Sequence, residues 1–192
     1  MYNFQNAHRL SALEPTTGIK AVYDKAFHLS YEVTLTEYEL STTLHVKNTS
    51  TLSVHAPDVL SFQALFHNYV RAPSSDVIIT PLQSKSYYDK TDGTEEGRAT
   101  AKIETRAGVD VRTFTDSVYE DAPQQCKVAW PSGGIVVKST GLKNLVIWNP
   151  QKEAGSKLAD MEDGGWCVLL NLLMSCSKWL TLRSTKGKIR LY

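Results

Sequence analysis

Cysteine is scarce in this chain, and surplus charge, long apolar runs and internal repeats are missing. The three cysteines, Cys126, Cys167 and Cys176, form an odd set without a Cys-x-x-Cys pair. That excludes a disulfide framework and a zinc site, and it fits a reducing compartment. Lys and Arg number 21 against 20 Asp and Glu, so no overall field draws nucleic acid or an anionic membrane. The longest apolar stretch, Trp166 to Met174, is too short to span a bilayer. Met1 to Leu10 carries Asn3, Gln5, Asn6, His8 and Arg9, which is unlike a secretory signal. These absences lead us to expect a cytoplasmic, monomeric protein without a membrane or nucleic-acid partner.

What is present is the pattern of strands. At 192 residues, with an ordinary apolar fraction, the chain can bury the core of one domain. From Leu29 to Leu35 apolar residues alternate with polar ones, and Leu40 to Lys47 repeats the pattern. Only Thr36 to Glu39 separate the two runs, which predicts an antiparallel hairpin, with Asn48-Thr49-Ser50 as the next turn. Short strands are expected at Leu60 to Phe66, Val77 to Thr80, Ala101 to Thr105, Cys126 to Trp130, Ile135 to Ser139 and Leu145 to Trp148. Turn chemistry at Thr91-Asp92-Gly93, Pro131-Ser132-Gly133-Gly134 and Thr140-Gly141 punctuates them. Many short strands with few helices predict an all-β antiparallel sandwich.

One histidine stands out. The run Ser61-Phe62-Gln63-Ala64-Leu65-Phe66-His67-Asn68-Tyr69 brings an imidazole to the end of an apolar strand, where it can give or take a proton near neutral pH. Taken alone, such a histidine is more often structural, and an aspartate such as Asp116 serves equally well as a turn cap or a ligand. His28, His45 and His55 read as surface or strand residues, Trp148 and Trp166 as packing residues, and Tyr88-Asp89-Lys90 as a local ion pair.

The runs Phe62 to Tyr69, Tyr88-Asp89-Lys90, Phe114-Thr115-Asp116-Ser117-Val118-Tyr119, Trp148-Asn149-Pro150 and Asp160-Met161 together change that balance. In order and approximate spacing they resemble glucose-6-phosphate 1-epimerase, the hexose-6-phosphate mutarotase branch of the aldose 1-epimerases. The resemblance covers about Phe27 to Trp166 and includes Glu153-Ala154-Gly155-Ser156-Lys157. It implies a galactose mutarotase-like supersandwich and an isomerase that interconverts the α and β anomers of glucose 6-phosphate, a small-molecule substrate, without cofactor or metal. By the same resemblance His67 is the general acid at the ring oxygen and Asp116 positions sugar hydroxyls. Gln63, four residues from His67 and so on the same face of a strand, is a candidate hydroxyl ligand.

The resemblance fails at both ends. Where the family carries its general base in a Cys-Val-Glu-Pro-Gly run, this chain reads Cys167-Val168-Leu169-Leu170, so the expected Glu is absent near Val168-Leu169. No upstream Arg-Gly-Gly-Ile-Pro or His-Gly-Phe-Ala-Arg run precedes Phe27, which leaves Arg71, Lys90 and Arg106 as phosphate candidates. Residues 171–192 hold five basic residues and no acid. The expected organisation is a poorly defined segment at 1–26, an incomplete sandwich at 27–170 and a basic, solvated tail at 171–192. The alternative to an epimerase is a catalytically impaired sugar-phosphate-binding sandwich, or a non-functional one, that lacks the general-base Glu.

Overall fold

The computed structural model describes residues 6–50, 60, 62–73 and 75–151, with the backbone of two strands at 173–175 and 185–191. These residues fall into two units, one drawn from Met1–Gln63, Lys138–Leu142 and Ser177–Tyr192, the other from Ala64–Val137 and Lys143–Cys176.

The first unit is built on the predicted hairpin. Strands β2 (Phe27–Leu35) and β3 (Leu40–Asn48) pair antiparallel from Phe27↔Asn48 to Leu35↔Leu40. Thr36 closes the turn, its backbone N–H donating to the Glu39 carbonyl at 2.8 Å while its hydroxyl accepts from the Glu39 N–H at 3.0 Å. Asn48 Oδ1 accepts from the Ser50 N–H at 2.9 Å, the Asx turn expected there.

Two expectations are corrected here. The segment expected to be poorly defined forms β1 (Ala7–Leu13), which pairs with β2 along its whole length, and helix α1 (Thr17–Val22), capped by the Thr16 hydroxyl. The expected solvated tail contributes β14 (Thr185–Leu191), antiparallel to β3 from Thr185↔Val46 to Leu191↔Leu40. The strand order is β1-β2-β3-β14-β11, where β11 (Gly133–Thr140) supplies residues 138–140. Phe27, Val46 and Leu60 form the buried centre, with Ile19, Tyr23, Leu29, Leu44 and Phe62 packed on it.

The second unit has two sheets. One runs β11-β10-β5-β8, from residues 133–137 of β11 through β10 (Gln125–Trp130) and β5 (Ile78–Thr80) to β8 (Val109–Asp110). Val128, Ile79 and Val109 sit side by side in register and are fully buried. Gly134 is needed at the start of β11 because a Cβ there would stand 2.8 Å from the Val128 carbonyl oxygen. Gly141, with φ of 77°, turns the chain after β11, a conformation that favours glycine.

The other sheet runs β4-β13-β12-β9-β6-β7. Its strands are β4 (Leu65–Phe66), β13 (Leu173–Ser175), β12 (Asn144–Asn149), β9 (Thr115–Tyr119), β6 (Ser86–Asp89) and β7 (Ala101–Ile103). Between β6 and β7 lies α2 (Glu95–Ala99), capped by Thr94 and carrying Glu95 and Glu96 in its first turn, where the helix dipole favours them. Of the strand expected from Leu60 to Phe66, only Leu65 and Phe66 among the described residues pair with a partner strand, β13. The expected boundaries at 27 and 171 therefore do not coincide with the two units.

Candidate functional site

Strand β9 lies between β12 and β6 and carries the site. Trp148↔Asp116 and Val146↔Val118 pair on one side, Tyr88↔Val118 and Asp89↔Ser117 on the other. Because side chains alternate along a strand, burial separates the two faces. Ser117, Tyr119, Leu145, Ile147 and Asn149 are buried, so their face is the core. Asp116, Val118, Val146, Trp148 and Tyr88 occupy the other face and are each half-buried. That open face is where a ligand can sit.

His67 directly follows β4, the edge strand at the far end of the same sheet. Phe66, the residue before, stands in one row with Leu145 and Tyr119 through β13 and is buried with them. His67 follows directly, just outside β4, and is exposed. Its ring stands 4.8 Å from that of Tyr69, tilted by 60°. The intervening strands β13 and β12 put His67 and Asp116 three strand spacings apart, and Asp116 lies three residues along β9 from the row of Phe66, so their backbones are more than roughly 14 Å apart. That is too far for the two side chains to bond each other, and it leaves room for one sugar ring between them.

Asp116 is held in an unusual state. Burial pushes its carboxyl above the ordinary carboxylate range, Lys90 partly offsets this, and Asp89 adds to it. Lys90 is bound to the same edge of the site, since its backbone N–H donates to the Asp116 carbonyl at 2.7 Å. Its ammonium lies 5.1 Å from the centre of the Tyr88 ring and donates to the Arg98 carbonyl at 3.0 Å. The expected ion pair within Tyr88-Asp89-Lys90 is not formed. Asp89 pairs instead with Lys102 at 3.0 Å; burial raises its carboxyl, but hydrogen bonds from Thr91 and Lys102 outweigh that and hold it low.

The other expected site residues are placed differently. Gln63 is not on a strand, so the same-face argument that linked it to His67 lapses. It belongs to the first unit, at a cavity of about 320 Å³ among Tyr23, Phe27, Leu60 and Phe62. Arg106 is committed elsewhere, its Nε and an outer nitrogen donating to the two oxygens of Glu104 at 2.9 and 2.7 Å. Tyr119 also donates to Glu104 at 2.7 Å. Arg71 is exposed. Asp116 lies within a strand, opposite Trp148, and does not cap a turn. Asn149 has a structural task, its amide donating to the Val111 carbonyl at 2.7 Å. His28 and His45 are on β2 and β3, where they meet Glu14 and Glu32. Asp160, Met161, Glu162, Asp163, Trp166, Cys167 and the Val168-Leu169-Leu170 run lie outside the described residues, as do His55 and Cys176.

Sequence reasoning missed Asn68 and Tyr88. The Asn68 amide nitrogen is buried beside His67 and has no hydrogen-bond partner among the described residues. Such an orphan is rare enough to mark a place for water or a ligand. Both residues lie inside the runs that drew attention to His67 and Lys90, but nothing in their type set them apart. Cys126 is buried and free, and burial raises its thiol to about 11, which makes it inert. Among the described residues no cluster of His, Cys, Asp and Glu suits a metal ion.

No protein-family profile matches the chain, and no curated protein matches it. Solved structures do. YeaD of Salmonella typhimurium, a candidate mutarotase, is similar with a TM-score of 0.75 at 14% identity, over 98% of this chain and 63% of its own. A candidate aldose 1-epimerase of Escherichia coli K12 gives 0.59 at 15% identity, over 99% and 68%. A galactose mutarotase-like protein of Lactobacillus casei gives 0.61 at 14% identity, over 99% and 72%. The fold is the galactose mutarotase-like β-sandwich. The chain spans less than two thirds of the length of YeaD. Among the described residues no helix is long and apolar enough to cross a membrane.

Proposed function

We propose that the open face of the six-stranded sheet is the sugar site of a hexose-6-phosphate 1-epimerase, with glucose 6-phosphate as the expected substrate. The observation that carries this reading is the register. It sets Asp116, Trp148 and Tyr88 on one open face, and we read His67, exposed just after the buried Phe66, as reaching the same side.

The chemistry follows from the groups present. Protonated His67 gives its proton to the ring oxygen as the bond from it to C1 breaks, and the anomeric hydroxyl gives its proton to water. The resulting aldehyde turns about the bond from C1 to C2 and the ring closes from the other face, His67 taking its proton back from the ring oxygen while water returns a proton to the oxygen on C1. An imidazole suits both directions because one ring nitrogen can give a proton and take it back. The Asp116 carboxylate accepts from sugar hydroxyls and keeps the ring in register. Since the family glutamate is replaced near Val168-Leu169, the anomeric proton passes to water, which limits the rate.

Lys90 is the phosphate candidate favoured by position, because it borders Asp116 while Arg106 is held by Glu104. Replacing Lys90 by Gln is expected to weaken glucose 6-phosphate binding about tenfold and leave glucose binding unchanged, a loss suited to one charge-assisted hydrogen bond. Titration calorimetry with the two sugars checks this. Asp116→Asn is expected to weaken both sugars by a similar factor. In the unsubstituted chain, affinity falls as pH drops through an Asp116 pKa above the ordinary carboxylate range.

A second reading, sugar binding without turnover, rests on the Cys167-Val168-Leu169-Leu170 run in place of the expected base. Two-dimensional exchange NMR on glucose 6-phosphate decides between them. Exchange between anomers faster than in buffer supports the epimerase; exchange at the buffer rate with ligand bound supports the second reading.

A further inference from the structure

Strand β12 lies between β13 and β9, on the way across the sheet from β4 to Asp116. Its residues Leu145, Ile147 and Asn149 are buried on the core face, which leaves Val146 and Trp148 half-buried on the open one. Trp148 stands directly opposite Asp116, roughly 5 Å away between backbones. A sugar ring that reaches Asp116 from the His67 side therefore lies over β12, and the largest side chain β12 offers it is the Trp148 indole. The other aromatic rings near Asp116 are engaged. Tyr87 and Tyr119 stack with ring centres 5.1 Å apart, and the Lys90 ammonium lies 5.1 Å from the centre of the Tyr88 ring. The Trp148 indole makes no hydrogen bond, ring contact or cation contact among the described residues.

We propose that the Trp148 indole is the floor of the sugar site, an apolar plate on which the C–H face of the pyranose lies while Asp116 holds hydroxyls at its rim. This rests on the reading of the open face as the sugar site and names the residue that binds the ring itself. A hexopyranose whose hydroxyls point outward shows a patch of C–H groups on each side, which gains by leaving water for an aromatic face. The reaction selects between the two sides. Inversion at C1 moves the anomeric hydroxyl between equatorial and axial positions, and the axial one lies on the side that carries H-3 and H-5. The side with H-2 and H-4 is the same in both anomers of glucose 6-phosphate, so a floor that serves both contacts that side. The indole N–H, at the edge of the plate, is free to donate to a hydroxyl. The packing role expected of Trp148 from the sequence gives way to a binding role.

Titration calorimetry with glucose 6-phosphate and with glucose tests the floor on the unsubstituted chain, Trp148→Phe and Trp148→Leu, each first shown folded by its amide spectrum. Trp148→Leu keeps an apolar side chain but loses the plate, and is expected to weaken both sugars about tenfold, whereas Trp148→Phe is expected to stay within about threefold. Saturation-transfer NMR on the unsubstituted chain, with aromatic protons irradiated, gives a readout that needs no variant to fold. H-2 and H-4 of both anomers are expected to receive more saturation than H-3 and H-5. Saturation centred on H-3 and H-5 overturns the proposal, as does a Trp148→Phe protein that binds as weakly as Trp148→Leu. A Trp148→Leu protein that binds like the unsubstituted chain, while Asp116→Asn binds more weakly, overturns the floor and leaves the sugar site standing. No binding of either sugar to the folded, unsubstituted chain overturns both.

Discussion

His67→Ala is expected to return anomer exchange on glucose 6-phosphate to the buffer rate, a loss on the order of a hundredfold or more, the ordinary contribution of one proton-transfer group. The same variant is expected to melt within a degree or two of the unsubstituted chain, because His67 is exposed and its described ring contact is with Tyr69, itself exposed. Exchange NMR and a thermal scan on one sample separate lost chemistry from lost fold. Asp116→Asn should behave differently, since it changes ligand affinity more than the rate at saturation. A His67→Ala protein that still accelerates exchange at the original rate would remove the imidazole from the mechanism.

The second large effect is on stability. Glu104 is only 2% exposed, yet it is charged, and it is satisfied by the Arg106 guanidinium, the Arg106 backbone N–H and the Tyr119 hydroxyl. Burial alone would raise its carboxyl; these donors outweigh burial and hold it at about 2 instead of the ordinary 4.5. Replacing Glu104 by Ala removes the common acceptor, leaves the Tyr119 hydroxyl buried without it, and is expected to cost about 3–5 kcal/mol in a urea titration. Tyr119→Phe, which deletes one donor, is expected to cost about 1–2 kcal/mol.

The sign of the pH dependence follows from the same carboxyl. A folded-state pKa below the unfolded one gives stability that is fully present above about pH 4.5 and lost as pH falls toward about 2. The gap between those values corresponds to about 3 kcal/mol at roughly 1.4 kcal/mol per pH unit. Urea titrations at pH 6 and near pH 3 should therefore differ clearly for the unsubstituted chain and differ less for Glu104→Gln. Equal acid sensitivity in the two proteins would show that Glu104 is not the group responsible.

How far the sequence could be read depended on which forces act locally. The β2–β3 hairpin was legible because alternation, turn residues and register agree within one stretch of chain. β10, β11 and β12 were legible for the same reason. β1 was not, since Ala7 to Leu13 is exposed on both faces and has no apolar alternation to detect. β9 was hidden because Val118 and Tyr119 are adjacent, and β14 because its partner, β3, lies more than 130 residues earlier in the chain. Within the proposed site, His67 and Asp116 were singled out through the runs around them. Their proposed common face was not legible, because it depends on the pairing of β4, β13, β12 and β9. The same-face link between Gln63 and His67 lapsed for a related reason: four residues apart means one face only if the intervening chain is a strand.

Amide chemical-shift mapping of the labelled protein, titrated with glucose 6-phosphate, tests the central claim most directly. Saturable shifts centred on His67, Asn68, Tyr88, Lys90, Asp116 and Trp148 are expected. Shifts confined to the first unit, or none at any sugar concentration in a folded sample, would contradict it.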